Sequence, residues 1–446
     1  MSRKEILKNF SDKRDYMDFR IQSGIETNRK GSFFLNFKND SPENKGAPLT
    51  GVHVRLRQKT HDFKYGANLF MLDQFSSPEQ NKAYREMFTG LFNIATLPFY
   101  WSDLEPEQGR PRFTKDSPNI YRRPAIDLCL EYCEANGIEP KAHCLNYASF
   151  TPSWARGTIE WEKQCLRKRF EELAARYADR IPMWEVTNET FWASWFYPTN
   201  FYHQPDFIEW SFKEAERCFP ANRLVINEAN CRIWDDNFFF RTRSPYFMQI
   251  ENALLKGCRI DEIGMQFHMF AKREDELREN RSCYDPERIY DVLDTYAYLG
   301  KPIHISELTI PAYSGSPEDE EIQAQIIRAL YSIWFSHPAM SGILYWNLID
   351  GFAAFAKQGD MTVGENYYYG GLLRHDFTPK PSCRVIRDLF QKEWHTETEL
   401  DSGADSKAYF RGFYGKYDAE ITVNGKTVTR EFHFSKDSNR DLEVWL

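Results

Sequence analysis

Between about Phe63 and Trp394 the chain repeats one pattern eight times: a short apolar run of β-forming residues, then a longer amphipathic stretch of helical period. The runs are YGANLF, FNIAT, PKAHCL, PMWEVTN, RLVIN, EIGMQFH, PIHISE and GILYWN. Strands this continuously apolar are buried on both faces, as in a parallel sheet covered by helices. Eight such units predict an α/β fold, a closed (β/α)8 TIM barrel. A doubly wound open sheet would usually carry a Gly-rich phosphate loop after its first strand, and no GxGxxG or P-loop pattern occurs.

The flanks read differently. SFFLNFKND and GVHVRLRQKTHDFKYG alternate with the period of a strand and are separated by the loop SPENKGAP. Near the other end AEITVNGKTVTREFHF alternates around Asn424-Gly425, a two-residue hairpin signal. The predicted organisation is an N-terminal helix and small β layer over 1–62, the barrel over 63–393, and a small C-terminal β-hairpin appendage over 394–446. A chain of 446 residues with 42% hydrophobic content can bury a large core. Its net charge of -8 argues against a nucleic-acid partner, which normally needs a basic surface. No run approaches the ~18 apolar residues of a membrane span. The charged amino terminus lacks the apolar centre of a secretory signal, and the nine scattered cysteines suit buried thiols. The expectation is a cytoplasmic protein, or a secreted one had a leader been removed.

In a barrel of this type, chemistry gathers at the carboxyl ends of the strands. The fourth run ends in Asn188-Glu189 and the seventh in Ser306-Glu307, so two carboxylates are expected in one mouth. Retaining hydrolysis of a glycosidic bond needs such a pair about 5 to 5.5 Å apart, one to protonate the leaving oxygen and one to attack. Other strand ends add His143, Asn227, Glu228, Gln266, His268 and Trp346. His304, three residues before Glu307, reads instead as a core histidine. The 16% aromatic content mostly reflects a bulky core, with some rings available as platforms for flat ligands. No HExxH, paired CxxC or carboxylate triplet with metal spacing appears, so neither a catalytic metal nor a cofactor is expected.

These residues carry a resemblance to glycoside hydrolase family 10, the xylanase family. WEVTNE resembles W-D-V-V-N-E, and ISEL resembles I-T-E-L. HCLNYASFTPSW is similar to H-T-L-x-W-H-S-Q-x-P-x-W, LVINEAN to L-x-x-N-D-Y-N, IGMQFH to I-G-x-Q-x-H, and LLRHDFTPKP to L-x-D-x-x-x-P-K-P, all in the family's order. The resemblance implies an endo-1,4-β-xylanase-like, retaining enzyme with Glu189 as acid/base and Glu307 as nucleophile. It further implies that Asn188 donates to the sugar 2-hydroxyl and that His143, Gln266, His268 and Trp346 line the subsite under attack. The implied partner is a β-linked oligosaccharide or polysaccharide, xylan-derived pieces first. A β-glucan-active glycosidase and a sugar-binding barrel without turnover stand as alternatives.

The departures from the family pattern carry expectations of their own. After the second strand, Thr96, Leu97 and Tyr100 stand where the family has the Glu, Asn and Lys that bind glycone sugars, and Tyr147-Ala148 replaces a Trp-His pair. Tyr100 and Tyr147 are therefore expected at the substrate, with the run Phe191 to Tyr197 as further platforms. Poor activity on long unsubstituted xylan follows. Thr309 replaces a supporting Asp, so His268 is expected to stay neutral. Burial among Trp184, Phe191 and Trp192, or the Glu307 charge, is expected to raise the proton affinity of Glu189.

Overall fold

The computed structural model describes residues 3–191, 199–237 and 239–446. Two strands come first, β1 (Lys30–Lys38) and β2 (His53–His61). Eight parallel strands then close a barrel: β3 (Lys64–Asn68), β4 (Ile94–Pro98), β5 (Glu139–His143), β6 (Met183–Asn188), β7 (Arg223–Glu228), β8 (Glu262–His268), β9 (Ile303–Thr309) and β10 (Met340–Tyr345). They neighbour one another in chain order, and β10 returns to β3. Nearly every residue of these strands is buried, which is why they read as unbroken apolar runs. Their outward side chains meet the helix layer: Trp184 packs on Phe99 and Phe219 at ring-centroid distances of 5.1 and 4.4 Å. That corrects the expectation that Trp184 surrounds Glu189.

Two interruptions of register shape the barrel mouth. Between β6 and β7 the pairing steps from Glu185 opposite Val225 to Thr187 opposite Ile226, so Val186 is an extra residue. Between β8 and β9 it steps from Met265 opposite Ile305 to Gln266 opposite Glu307, so Ser306 is extra. A strand alternates its side chains strictly, and a bulge resets that alternation. Glu185 and Asn188 thereby both reach the barrel interior, as do the consecutive Ser306 and Glu307: all four bond Asn227.

Five more strands follow: β11 (Glu397–Asp401), β12 (Lys407–Phe413), β13 (Gly415–Val423), β14 (Lys426–Phe434) and β15 (Asp441–Trp445). The hairpin β13–β14 turns at Asn424-Gly425 with φ of 49° and 76°, the left-handed pair such a turn requires. Contacts group the chain into two units rather than the three serial segments of the sequence reading. One comprises Met1–Met17, Tyr65–Trp334 and Ala339–Arg384; the other comprises Asp18–Lys64, Phe335–Pro338 and Val385–Leu446. The physical reason lies in strand pairing. A pair of strands buries little by itself. β1 therefore pairs with β12 and β15, and β2 with β11 and β13, giving sheets of three and four strands. Phe33, Leu35, Phe37, Val54, Leu56, Tyr417 and Phe434 are buried together in the core of this β unit.

Among the described residues no helix is long and apolar enough to cross a membrane. Eight described cysteines are free thiols, seven of them buried.

Candidate active site

At the base of the barrel mouth lies a buried ion pair. Lys141 Nζ on β5 donates to Glu185 Oε2 on β6 at 2.6 Å, and His143 Nδ1 lies 2.8 Å from Glu185 Oε1. Burial alone would raise the Glu185 carboxyl, but the Lys141 ammonium and the His143 ring outweigh it and hold it at about 2. The His143–Cys144 peptide is cis. His143, Cys144 and Glu185 bring ligand-type atoms within 4.8 Å of one another, yet Lys141 already supplies the positive charge that a metal would bring. His304 is buried with Nδ1 2.9 Å from Glu262 Oε1 near the amino ends of β8 and β9, away from the mouth, as a core histidine should be.

Asn227 joins this base to the carboxylates above. Its Nδ2 lies 3.3 Å from Glu185 Oε1, 2.8 Å from Asn188 Oδ1 and 3.2 Å from Glu307 Oε1, and its Oδ1 accepts from Ser306 at 2.5 Å. Gly264 makes this possible: a Cβ there would fall 2.5 Å from Asn227 Oδ1. Gln266 Nε2 then bonds Glu189 Oε1 at 2.9 Å and Glu307 Oε1 at 3.1 Å, with Asn188 Oδ1 at 3.3 Å. Asn188 thus spends its oxygen on Asn227 and Gln266.

Glu189 reaches this position through a strained backbone. Its φ of 51° is left-handed, a conformation that costs a non-glycine residue ~1 to 3 kcal/mol and persists where neighbours impose it. Glu228 is that neighbour. One of its oxygens accepts from Thr190 N at 2.8 Å and Thr190 Oγ1 at 2.9 Å, and the other from Ala229 N at 2.8 Å. Burial outweighs these donors and pushes the Glu228 carboxyl up to about 7. Tyr147 completes the setting of Glu189, its hydroxyl donating to Oε2 at 2.5 Å.

Glu307 is 3% exposed, and burial pushes its carboxyl up to about 8, the His143 ring opposing and the Glu185 and Glu189 charges reinforcing the shift. The structure puts a raised carboxyl at Glu307, a position for which the sequence reading expected none. His268 Nε2 lies 3.1 Å from Glu307 Oε2, and its Nδ1 lies 2.9 Å from Thr309 Oγ1. Burial lowers the His268 ring to about 4, which the Glu365 and Glu189 charges only partly offset, so His268 is neutral. Trp346 stands edge-on to both His143 and His268 at 5.7 Å, and Tyr100 OH lies 3.0 Å from His143 Nε2.

The nine predicted site residues, Glu189, Glu307, Asn188, His143, Gln266, His268, Trp346, Tyr100 and Tyr147, thus form one connected set. Of the predicted aromatic run, Trp192 to Tyr197 lie outside the described residues. Lys141 and Glu185 were missed, although charges in the middle of apolar strands were a visible signal. Glu365, which Asn347 Nδ2 holds at 2.8 Å, lies in a short 3-10 helix, Gly364–Tyr368, without any such signal.

The barrel has known counterparts. The crystal structure of native xylanase 10B from Thermotoga maritima matches with a TM-score of 0.58 and 23% identity, covering 74% of this chain and 96% of that one. Endo-1,4-beta-xylanase B of Thermotoga neapolitana is 25% identical over 332 residues, 72% of this chain and 86% of that protein. Endo-1,4-beta-xylanase 2 of Arabidopsis thaliana is 23% identical over 421 residues, 92% of this chain, which spans only 34% of the plant protein's length. The model of glycosyl hydrolase family 10 matches residues 67–384, from β3 through the last turn of the barrel unit. With well over half of its length matched, and with the strand ends that carry Glu189 and Glu307 inside the match, the chain belongs to glycosyl hydrolase family 10.

Proposed function

We propose that the protein is a retaining β-glycoside hydrolase that acts on short β-linked oligosaccharides, xylan-derived pieces first. The observation that carries this reading is the Gln266 amide nitrogen bonded to both carboxylates. The two oxygens it holds are no farther apart than its 2.9 and 3.1 Å bonds laid end to end. That bound is short of the ~6.5 Å at which the spacing of inverting enzymes begins, which supports the retaining reading.

In the proposed mechanism Glu307 attacks the anomeric carbon while Glu189 gives its proton to the leaving oxygen. Glu189 then takes a proton from water, which displaces Glu307 and releases the sugar. The pair must hold one proton between its members. A carboxyl pushed up to about 8 supports a singly protonated pair through neutral pH, and such a pair titrates as a unit. Asn227 and Gln266 donate to Glu307 Oε1, which favours its anion once positive charge develops on the sugar. Lys141 and Glu185 act indirectly, by fixing the His143 ring.

The test is covalent trapping. A 2-deoxy-2-fluoro β-glycoside with a dinitrophenol leaving group should add one sugar mass to Glu307, located by peptide mass spectrometry. Glu189→Ala should still release dinitrophenol while losing activity on unactivated oligosaccharides. Labelling at another residue, or unchanged oligosaccharide hydrolysis by Glu189→Ala, sinks the assignment.

A further inference from the structure

The barrel mouth is filled on one side of the carboxylates and hollow on the other. On the filled side, Tyr100 follows β4 and Phe150 lies in the loop after β5. Both replace polar residues of the family pattern, Lys in the first case and Gln in the second. Their rings meet at 4.2 Å. The Arg123 guanidinium covers the Tyr100 ring at 3.8 Å, held by Asp103 at 2.6 Å, and Phe70 closes on its edge at 5.7 Å. Tyr100 is only 5% exposed, so it has no free face on which a sugar could stack. Phe70, Tyr100 and Trp346 are buried as one cluster, with Tyr147 and Phe150 packed against it.

The loops after β4 and β10 meet behind this cluster. Arg122 Nη1 donates to Phe352 O at 2.5 Å, Tyr121 OH reaches Ala353 O at 3.4 Å, and the Arg122 guanidinium lies 5.5 Å from the Phe70 ring centre. A wall of aromatic rings backed by two guanidinium groups thus stands where the resemblance puts a residue that binds glycone sugars. The hydroxyl of Tyr100 reaches His143, whose ring in turn lies 3.9 Å from Glu307. The wall therefore begins one side chain away from the sugar under attack.

The hollow side is different in chemistry as well as in room. Beyond His268 a cavity of about 450 Å³ is lined by Asp235, Phe270, Arg278 and Asn280. Asn280 Nδ2 is buried there without a hydrogen-bond partner among the described residues. A cavity that is polar, carries an unspent donor and is large enough for a sugar ring suits a hydroxyl-rich leaving group.

We infer that the site accepts one sugar on the glycone side and hydrolyses its substrate from the non-reducing end, one residue at a time. This rests on the glycosidase reading above. The bond broken joins the terminal anomeric carbon to the linking oxygen. Water supplies the hydroxyl that ends on that carbon and the proton that ends on the shortened chain, which leaves through the cavity beyond His268. The family's fold is kept while the cleft becomes a blind site.

The experiment compares 4-nitrophenyl β-xyloside and β-glucoside with the matching β-xylobioside and β-cellobioside. It also follows xylotetraose labelled at its reducing end with 2-aminobenzamide. At least one monoside should release nitrophenol with kcat/KM tenfold or more above its bioside. The labelled tetraose should shorten in single steps, with the monosaccharide as first unlabelled product. Phe150→Gly should raise the bioside to monoside ratio at least tenfold by opening the wall. Faster nitrophenol release from a bioside, or an unlabelled disaccharide as the first product, overturns the inference and leaves the glycosidase reading intact. If Phe150→Gly does not fold, the order of products from the wild-type protein decides alone. Failure to turn over any of the five substrates removes both readings together.

Discussion

Replacing Glu307 by Gln should stabilise the protein, and by an amount that grows with pH. The side chain is buried, and its carboxyl stands at about 8 in the folded state against the ordinary value of 4.5. The folded protein therefore keeps a proton that the unfolded chain releases above pH 4.5. Stability falls as pH rises wherever the folded state binds more protons. At ~1.4 kcal/mol per pH unit, the cost to the wild type is ~2 kcal/mol at pH 6 and approaches ~5 kcal/mol once pH passes 8. Glutamine reproduces the protonated acid, with one oxygen for Asn227 and Gln266 to bond and one donor facing His268 Nε2. The two proteins should then be nearly equal in stability near pH 4.5 and diverge above it. The assay is urea unfolding of wild type and Glu307→Gln from pH 4.5 to 8.5, followed by tryptophan fluorescence. A stability difference that does not change with pH refutes the reasoning. It would mean that the folded protein holds Glu307 ionised, with its donors outweighing burial.

Three further outcomes are expected. The kcat/KM profile should keep its activity through neutral pH and fall as pH rises through about 8, when the carboxylate pair loses its last proton; a basic limb below pH 6 contradicts this. Lys141→Met should destabilise the protein by ~3 to 5 kcal/mol because it strands the buried Glu185 charge, and adding Glu185→Gln should recover part of the loss; calorimetry of the single and double variants reads this directly. Thr309→Asp should place a carboxylate beside His268 Nδ1 and raise that ring well above its value of about 4 in a ring-proton NMR titration, and an unmoved titration would mean that burial alone governs it.

The barrel and both carboxylates were legible in the sequence for one physical reason. Parallel strands covered on both faces must be apolar throughout, so a polar residue closing such a run marks where the chain reaches the mouth. The bulges at Val186 and Ser306 left no such mark, because nothing in MWEVTN or HISEL reveals an extra residue. Strict alternation would have turned either Glu185 or Asn188 away from the interior. Lys141 and Glu185 were legible as charges but not as a pair, since pairing depends on the register of two strands that the sequence does not give. The flanking strands show the same limit. Alternation in SFFLNFKND tells which face is buried and is silent about the partner strand. The consequence of Tyr100 was half legible: its identity announced a lost cation, while its burial under Arg123 came only from the loops around it.

The pairing of β1 and β2 with strands more than 330 residues later has a consequence for synthesis. At ~5 to 20 residues per second, a ribosome needs roughly 20 to 70 s to travel from the end of β2 to the start of β11. For most of that interval β1 and β2 are outside the tunnel with their apolar faces uncovered and their edges unpaired, while the barrel strands are being made. A nascent chain arrested before residue 397 should therefore bind a hydrophobic-strand chaperone through these two early segments, and release it only when the last strands arrive.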